Sequence, residues 1–234
     1  MTEKWVGTKS GVLREEPLLL RACRAGVFGE SLAYSGGEIH KALFTYLCGE
    51  PDEHILSEHP DLFRGAWLVC MSDGWEKFIR SLPLEQVMRR VMMYPRCATA
   101  QTKAASLPEG YTACGFSEDI FYAHPFGQGK NYRDFEEFIT YSAGEAVMYG
   151  DKVVAAASGF ISFENETELD VCTAYEHRRK GLANICIQRL LNGSASRGIT
   201  VHWDAQNSVS EKLARSHGFS PSSEYAVYVL GQDR

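Results

Sequence analysis

The chain has 234 residues, 44% hydrophobic and 23% charged, an ordinary globular composition with length for one large domain or two small ones. No apolar run reaches bilayer-spanning length, and the first seventeen residues carry charge without an apolar core, so neither a membrane span nor a signal peptide is expected. A formal net charge of −6 argues against a broad nucleic-acid footprint.

Seven cysteines (Cys23, Cys48, Cys70, Cys97, Cys114, Cys172 and Cys186) are scattered, odd in number and never spaced as Cys-x-x-Cys. That pattern suggests neither a disulfide framework nor a zinc site, and reads as reduced thiols in a cytoplasmic protein. The seven histidines show no ligand spacing either, so no metal is expected.

Along the chain, Glu38–Cys48 puts Ile39, Leu43, Phe44 and Leu47 on one helical face before Gly49, which predicts a helix. Ala66–Met71 suits a short buried strand. After Asp73-Gly74, the i, i+3, i+4, i+7 stripe of Trp75, Phe78, Ile79 and Leu82 predicts a helix packed on the core. Leu84–Tyr94 fits a helix or a strand equally. The turn signal Leu107-Pro108-Glu109-Gly110 suggests a boundary between an N-terminal α/β lobe, 1–104, and a second domain, 105–234.

Beyond that turn, Asn131–Tyr141 reads as a helix with Phe135, Phe138 and Ile139 inward. Ala143–Tyr149 and Lys152–Phe163 are strand-like, joined by the hairpin signal Gly150-Asp151. Asn165-Glu166 makes a second tight connection, into a strand over Thr167–Thr173. A helix over Gly181–Leu191 would bury Leu182, Ile185, Cys186, Arg189 and Leu190, with Gly193 beyond its end. Ile199–Ala205 is a strand, Ser208–His217 a helix closed by Gly218, and Tyr225–Leu230 a last strand. The order predicts an α/β (α+β) fold with a mixed, mainly antiparallel sheet flanked by helices.

Residues 168–183 carry the most chemical information. A strand enters a short basic loop, Arg178, Arg179 and Lys180, which opens into a helix at Gly181. The first amides of a helix have no intrahelical partner and sit at the positive end of the macrodipole, which suits a phosphate. Gly181 admits close backbone approach, and small Ala183 lets a ligand lie on the first turn. Read without further context, the same residues also describe a solvated basic loop capping an amphipathic helix.

The Arg178-x-x-Gly181-x-Ala183 spacing resembles the Arg/Gln-x-x-Gly-x-Gly/Ala motif with which GNAT acetyltransferases bind the pyrophosphate of coenzyme A. Val201 through Phe219 is similar to that family's next strand, Asn-containing turn and helix ending in Gly-Phe. The stretch from Asp134 to Asp204 resembles the subfamily that includes the zwittermicin-resistance acetyltransferase. The resemblance implies a GNAT fold and acetyl-CoA as co-substrate. It places the pantetheine along Val171, Cys172 and Thr173, with a Val171 or Cys172 amide polarising the thioester carbonyl. It places the pyrophosphate on Arg178, Arg179, Lys180, Gly181, Leu182 and Ala183, with Asn207 and Ser210 further on; Asn207 either fixes its turn or bonds the cofactor. Two positions depart from the family pattern: Ala214 stands where many members have a proton-donating Tyr, and Arg179 where many have Gly.

For the base, Glu168 and Asp170 share one face of their strand, and Glu168 lies near where some members of the family place a catalytic Glu. The alternative is that both face water, as Glu164 and Glu166 on the preceding turn are expected to do. Cys172 as an acyl acceptor is disfavoured, since a buried strand thiol is usually inert. His202 either reaches the cleft or covers an outer face. The reading that follows is an N-acetyltransferase acting by direct attack in a ternary complex. The alternative is a non-catalytic acyl-CoA-binding or interaction module on the same fold. The acceptor would be a small-molecule or protein amine; no nucleic-acid or membrane partner is expected.

Overall fold

The computed structural model describes residues 3–4, 10–95, 106–126 and 130–231. Contacts divide the chain into two compact units, one of residues 1–93, 205–211 and 221–234, the other of 94–204 and 212–220. Helices flank the sheet strands in a mixed α/β arrangement.

The first unit contains β1 (Glu3–Lys4), α1 (Leu18–Arg24), β2 (Glu30–Tyr34), β3 (Gly37–Lys41), β4 (Thr45–Gly49), α2 (Glu53–Glu58), β5 (Leu68–Cys70), α3 (Asp73–Ser81), and most of β6 (Leu84–Pro95) and of the C-terminal strand β12 (Phe219–Leu230). β2, β3 and β4 form an antiparallel meander, β5 joins β4 in parallel, and β12 lies antiparallel to β5. The helix expected over 38–48 is therefore a β-hairpin. Ile39 pairs with Leu47 across it and both are buried, while Leu43 is in the connection and exposed. Two short strands facing one core reproduce the same spacing of apolar residues as one helix. Leu84–Tyr94, open to either reading, is strand.

α3 forms as its stripe predicts. Ser72 caps it by accepting from the Trp75 amide, and Trp75 and Ile79 are fully buried with Phe63, Leu68 and Tyr228. On the same helix the Glu76 carboxylate accepts from the Gly11 amide at 2.6 Å, the Tyr228 hydroxyl at 2.7 Å, Arg80 Nε at 2.9 Å and Ser10 Oγ at 3.0 Å. Burial pushes its pKa up, but these donors outweigh burial and hold it below the ordinary carboxylate value. A depressed folded pKa stabilises fully above the unfolded value and is lost as pH falls through the folded one. Glu76→Gln is expected to cost about 1–3 kcal/mol at neutral pH and to flatten the acid limb of stability, read from urea midpoints across pH.

The second unit contains β7 (Tyr111–Gly115), α4 (Glu118–Ala123), α5 (Phe135–Tyr141), β8 (Gly144–Tyr149), β9 (Lys152–Phe163), β10 (Glu166–Thr173), α6 (Leu182–Ser196) and β11 (Thr200–Ala205), with part of α7 (Ser208–Ser216). β7 to β10 form an antiparallel meander; α6 then crosses over to β11, which is parallel to β10. β7 and α4 are elements that the sequence pattern did not suggest.

Three local expectations change. α5 begins at Phe135, where Asp134 caps it by accepting from the Glu137 amide; Phe138 is fully buried but Ile139 is exposed. α6 continues through Gly193 to Ser196. Its buried side includes Ile187 and Gln188, while Arg189 lies outside and pairs with Glu145 at 2.6 Å. The β9–β10 turn is Glu164-Asn165, one residue earlier than expected. Both residues have positive φ, +51° and +61°, as the hand of a tight hairpin requires.

The six described cysteines are thiols, and Cys97 lies outside the described residues. Among the described residues, no helix is long and apolar enough to cross a membrane, and no group of three or more metal-ligating side chains gathers.

Candidate active site

β10 pairs with β9 along its whole length, but its ladder with β11 comprises three pairs: Glu166 with Thr200, Thr167 with Val201 and Glu168 with His202. Beyond Glu168 the two parallel strands part. The amide of Ala174 donates to the Val154 carbonyl at 2.8 Å, which fixes the alternation of backbone groups along β10. Cys172 therefore directs its N–H and C=O at β9, while Val171 and Thr173 direct theirs away from it. Of the two amides considered for polarising a carbonyl, Val171 has the orientation and Cys172 does not. The Thr173 carbonyl accepts from Arg178 Nε at 3.1 Å.

After β10 the chain makes a 3-10 turn, Tyr175–His177, and then the basic loop. Gly181 caps α6 with φ +79°, and a Cβ there would meet nothing within 4 Å. The left-handed backbone favours glycine here, and the space above it is open. Arg179 also has a positive φ, +61°, the region where an L side chain costs about 1–2 kcal/mol. That conformation explains why a glycine suits this position. α6, fifteen residues long, starts directly behind this loop and aims its N-terminal dipole into it.

The loop's side chains have partners at the edge of the sheet. Lys180 Nζ donates to the Tyr111 hydroxyl at 2.7 Å, and that hydroxyl lies 2.8 Å from His177 Nδ1. Tyr149 packs on both Tyr111 and His177. The Arg178 guanidinium lies over the Tyr175 ring at 5.4 Å. Leu182 is buried, so only its backbone can face a ligand; Ala183 is half-buried. Asn184, in the first turn of α6, bonds His217 Nε2 at 3.0 Å, and burial lowers the pKa of this imidazole.

Glu166, Glu168 and Asp170 alternate with the buried Thr167 and Leu169, so the three carboxylates share a face. Glu168 is at the last rung before the strands part, directly across from His202. His202 Nε2 is hydrogen-bonded to Glu166, and the Tyr94 ring meets the imidazole edge-on at 5.0 Å. Glu166 is thus a strand residue paired with His202, where the sequence suggested surface charge on a turn. The shared parity of 166 and 168 carried part of this signal; the partner 36 residues later did not show. The Cys172 thiol is pushed up in pKa by burial first and by Asp170 next, which disfavours a thiolate nucleophile.

Asn207 Oδ1 accepts from the Ser210 amide at 2.9 Å and the Asn207 carbonyl from the Glu211 amide, so Asn207 caps α7 and Ser210 lies in its first turn. Ala214 is fully buried in the same helix.

The second unit thus holds a parallel pair that separates after Glu168 and, further along the chain, a basic loop that leads into a glycine-capped helix. Residues 25–228 match the GNAT acetyltransferase family, and the chain belongs to it. It is similar to the uncharacterized N-acetyltransferase YdfB of Bacillus subtilis (strain 168), 25% identical over 206 residues, which cover 84% of this chain and 76% of that protein. The fold is similar to that of a GCN5-related N-acetyltransferase-like protein from Streptococcus suis 89/1591, with a TM-score of 0.74, 21% identity and coverage of 92% of this chain and 93% of that one. A GCN5-related N-acetyltransferase from Kribbella flavida superposes with a TM-score of 0.58 at 11% identity, covering 92% and 96% of the two chains.

Proposed function

We propose that the protein is a cytoplasmic N-acetyltransferase that moves an acetyl group from acetyl-CoA to an amine by direct attack in a ternary complex. The observation that carries this reading is the β10–β11 ladder ending at Glu168 and His202, followed, after the rest of β10, a 3-10 turn and the basic loop, by the left-handed Gly181 at the head of α6. Membership of the GNAT family supports acyl transfer in general. The narrower likeness to the zwittermicin-resistance subfamily rests on the motifs between Asp134 and Asp204.

The residues present fit a CoA ester. The amides of residues 179–183, the open space over Gly181 and the charges of Arg178, Arg179 and Lys180 suit a pyrophosphate. The outward backbone groups of Val171 and Thr173 suit an extended amide-bearing chain, which they would bind as a further strand. Acetyl-CoA supplies an activated thioester carbonyl. The Val171 N–H, turned away from β9, would donate to its oxygen as charge develops there. Glu168 takes a proton from the incoming ammonium, directly or through a water, leaving the neutral amine to attack; Asp170 is the second candidate for that role. With Ala214 in α7, departure of the thiolate relies on nearby amides rather than a tyrosine proton.

The acceptor we propose is a cationic small amine, from the three carboxylates on the β10 face. The test is CoA release from acetyl-CoA with a panel of small amines, polyamines and peptides. Release that depends on one amine class is expected. Tight CoA binding without turnover on any amine would overturn the enzyme reading and leave a binding module.

A further inference from the structure

β9 carries one residue more than β10 at the rung where β10 leaves β11. Glu168 pairs with Ile161 and Leu169 with Gly159, so Phe160 is the extra residue. A bulge takes backbone groups out of the ladder and increases local twist, so those groups need partners from elsewhere.

Here two adjacent side chains ahead of α5 hold it. Asn131 Nδ2 donates to the Phe160 carbonyl at 3.0 Å. The Tyr132 hydroxyl lies 2.8 Å from Ser162 Oγ, which donates to Thr167 Oγ1 at 2.9 Å; that hydroxyl donates in turn to the Ile161 carbonyl at 3.0 Å. Both carbonyls of the bulge are thus bonded by side chains, one directly and one through a chain of hydroxyls. Gly159 belongs to the same device, because a Cβ there would strike Ser142 Oγ and Thr167 Oγ1. The Tyr132 ring is itself held edge-on against the fully buried Phe138 at 5.2 Å.

We propose that Asn131 and Tyr132 are positioning residues for acyl transfer: by locking the β9 bulge they fix where β10 separates from β11 and how Glu168 is presented. The inference rests on the acetyltransferase reading above. A bulge without these bonds would let β10 settle back toward regular pairing, narrowing the gap and turning Glu168.

The test uses Asn131→Leu, which keeps the side chain's size without its donor, and Tyr132→Phe, which keeps the ring on Phe138. Adenosine 3′,5′-bisphosphate reaches only the loop, whereas CoA reaches the loop and the gap, so calorimetry with both probes separates the two regions. Each variant is expected to bind CoA roughly tenfold more weakly, as the loss of about one well-placed hydrogen bond implies, with bisphosphate affinity unchanged. The value of kcat should fall roughly a hundredfold through misplacement of Glu168. Amide exchange should accelerate at residues 159–161 and 168–170 and not elsewhere.

Faster exchange with unchanged CoA affinity and kcat would overturn the proposal and leave the clamp a purely structural feature. Equal weakening of both probes would also overturn it, since the loop would then be the part affected. Should Asn131→Leu fail to fold, Tyr132→Phe gives the same readouts. A wild type that binds neither probe would sink the acetyltransferase reading itself, a result distinct from either failure above.

Discussion

Glu168→Gln is expected to lower kcat by about two to four orders of magnitude while leaving acetyl-CoA affinity nearly intact. Glutamine keeps the size and hydrogen-bonding shape of the side chain at the end of the β10–β11 ladder but cannot take a proton. The CoA contacts proposed for the loop and for the Val171 and Thr173 backbone do not involve this side chain, so binding and turnover should separate. The deficit should shrink as pH rises, because more of the amine then arrives already neutral. With Ala214 buried in α7, the wild-type rate should not decline at high pH through loss of a tyrosine proton.

The measurement is a pH–rate profile of wild type, Glu168→Gln and Asp170→Asn with one acceptor. Overlay of Glu168→Gln on wild type, with Asp170→Asn crippled, would move the base two residues along the strand. If neither change matters, the carboxylates of this face take no part in proton transfer. The hydrogen bond between Glu166 and His202 lies beside Glu168, so the mutated site keeps one ordered polar pair in every variant.

Gly181→Asp is expected to remove measurable CoA binding, an affinity loss of at least about a hundredfold, while the protein stays folded. The backbone at φ +79° disfavours most side chains, but Asp and Asn tolerate the left-handed region better than the rest. A Cβ there meets no atom within 4 Å, and a carboxylate at a helix N-terminus is favourable by about 0.3–1 kcal/mol. Folding thus loses little. The same carboxylate, however, occupies the open space in which the pyrophosphate would sit, and it satisfies the amides that the phosphates need.

Gly181→Asn separates shape from charge, since it fills the same volume without repelling an anion. Calorimetry should give Asn an intermediate affinity and Asp none. Unchanged affinity in the Asp variant would remove residues 178–183 from the binding site. Matching thermal melts of the three proteins would show that the loss is local.

The parts of this protein that could be read in advance are those where the information is local. The stripe of Trp75, Phe78, Ile79 and Leu82 is a helix because one helical turn brings these residues together whatever surrounds them. Gly150-Asp151 makes a hairpin because the turn itself sets the hand of the chain. The basic loop leading into a helix at Gly181 was legible because a glycine followed by an apolar helical stripe is a local signal.

The hairpin of β3 and β4 shows the limit. Ile39, Leu43, Phe44 and Leu47 satisfy helical spacing, and only the pairing of Ile39 with Leu47 against the core decides for strands. The details of the candidate site lie further apart still. Glu166 reaches His202 across 36 positions, and Asn131 reaches the Phe160 carbonyl across 29. The register that places Glu168 at the end of a three-rung ladder depends on a bulge in a neighbouring strand. Sequence by itself determined the helix with its phosphate-suited terminus and the carboxylates on one strand face, because backbone periodicity dictates both. Which carboxylate stands where the strands part was decided by tertiary structure alone, since it depends on cross-strand register and on side chains brought in from a distant loop.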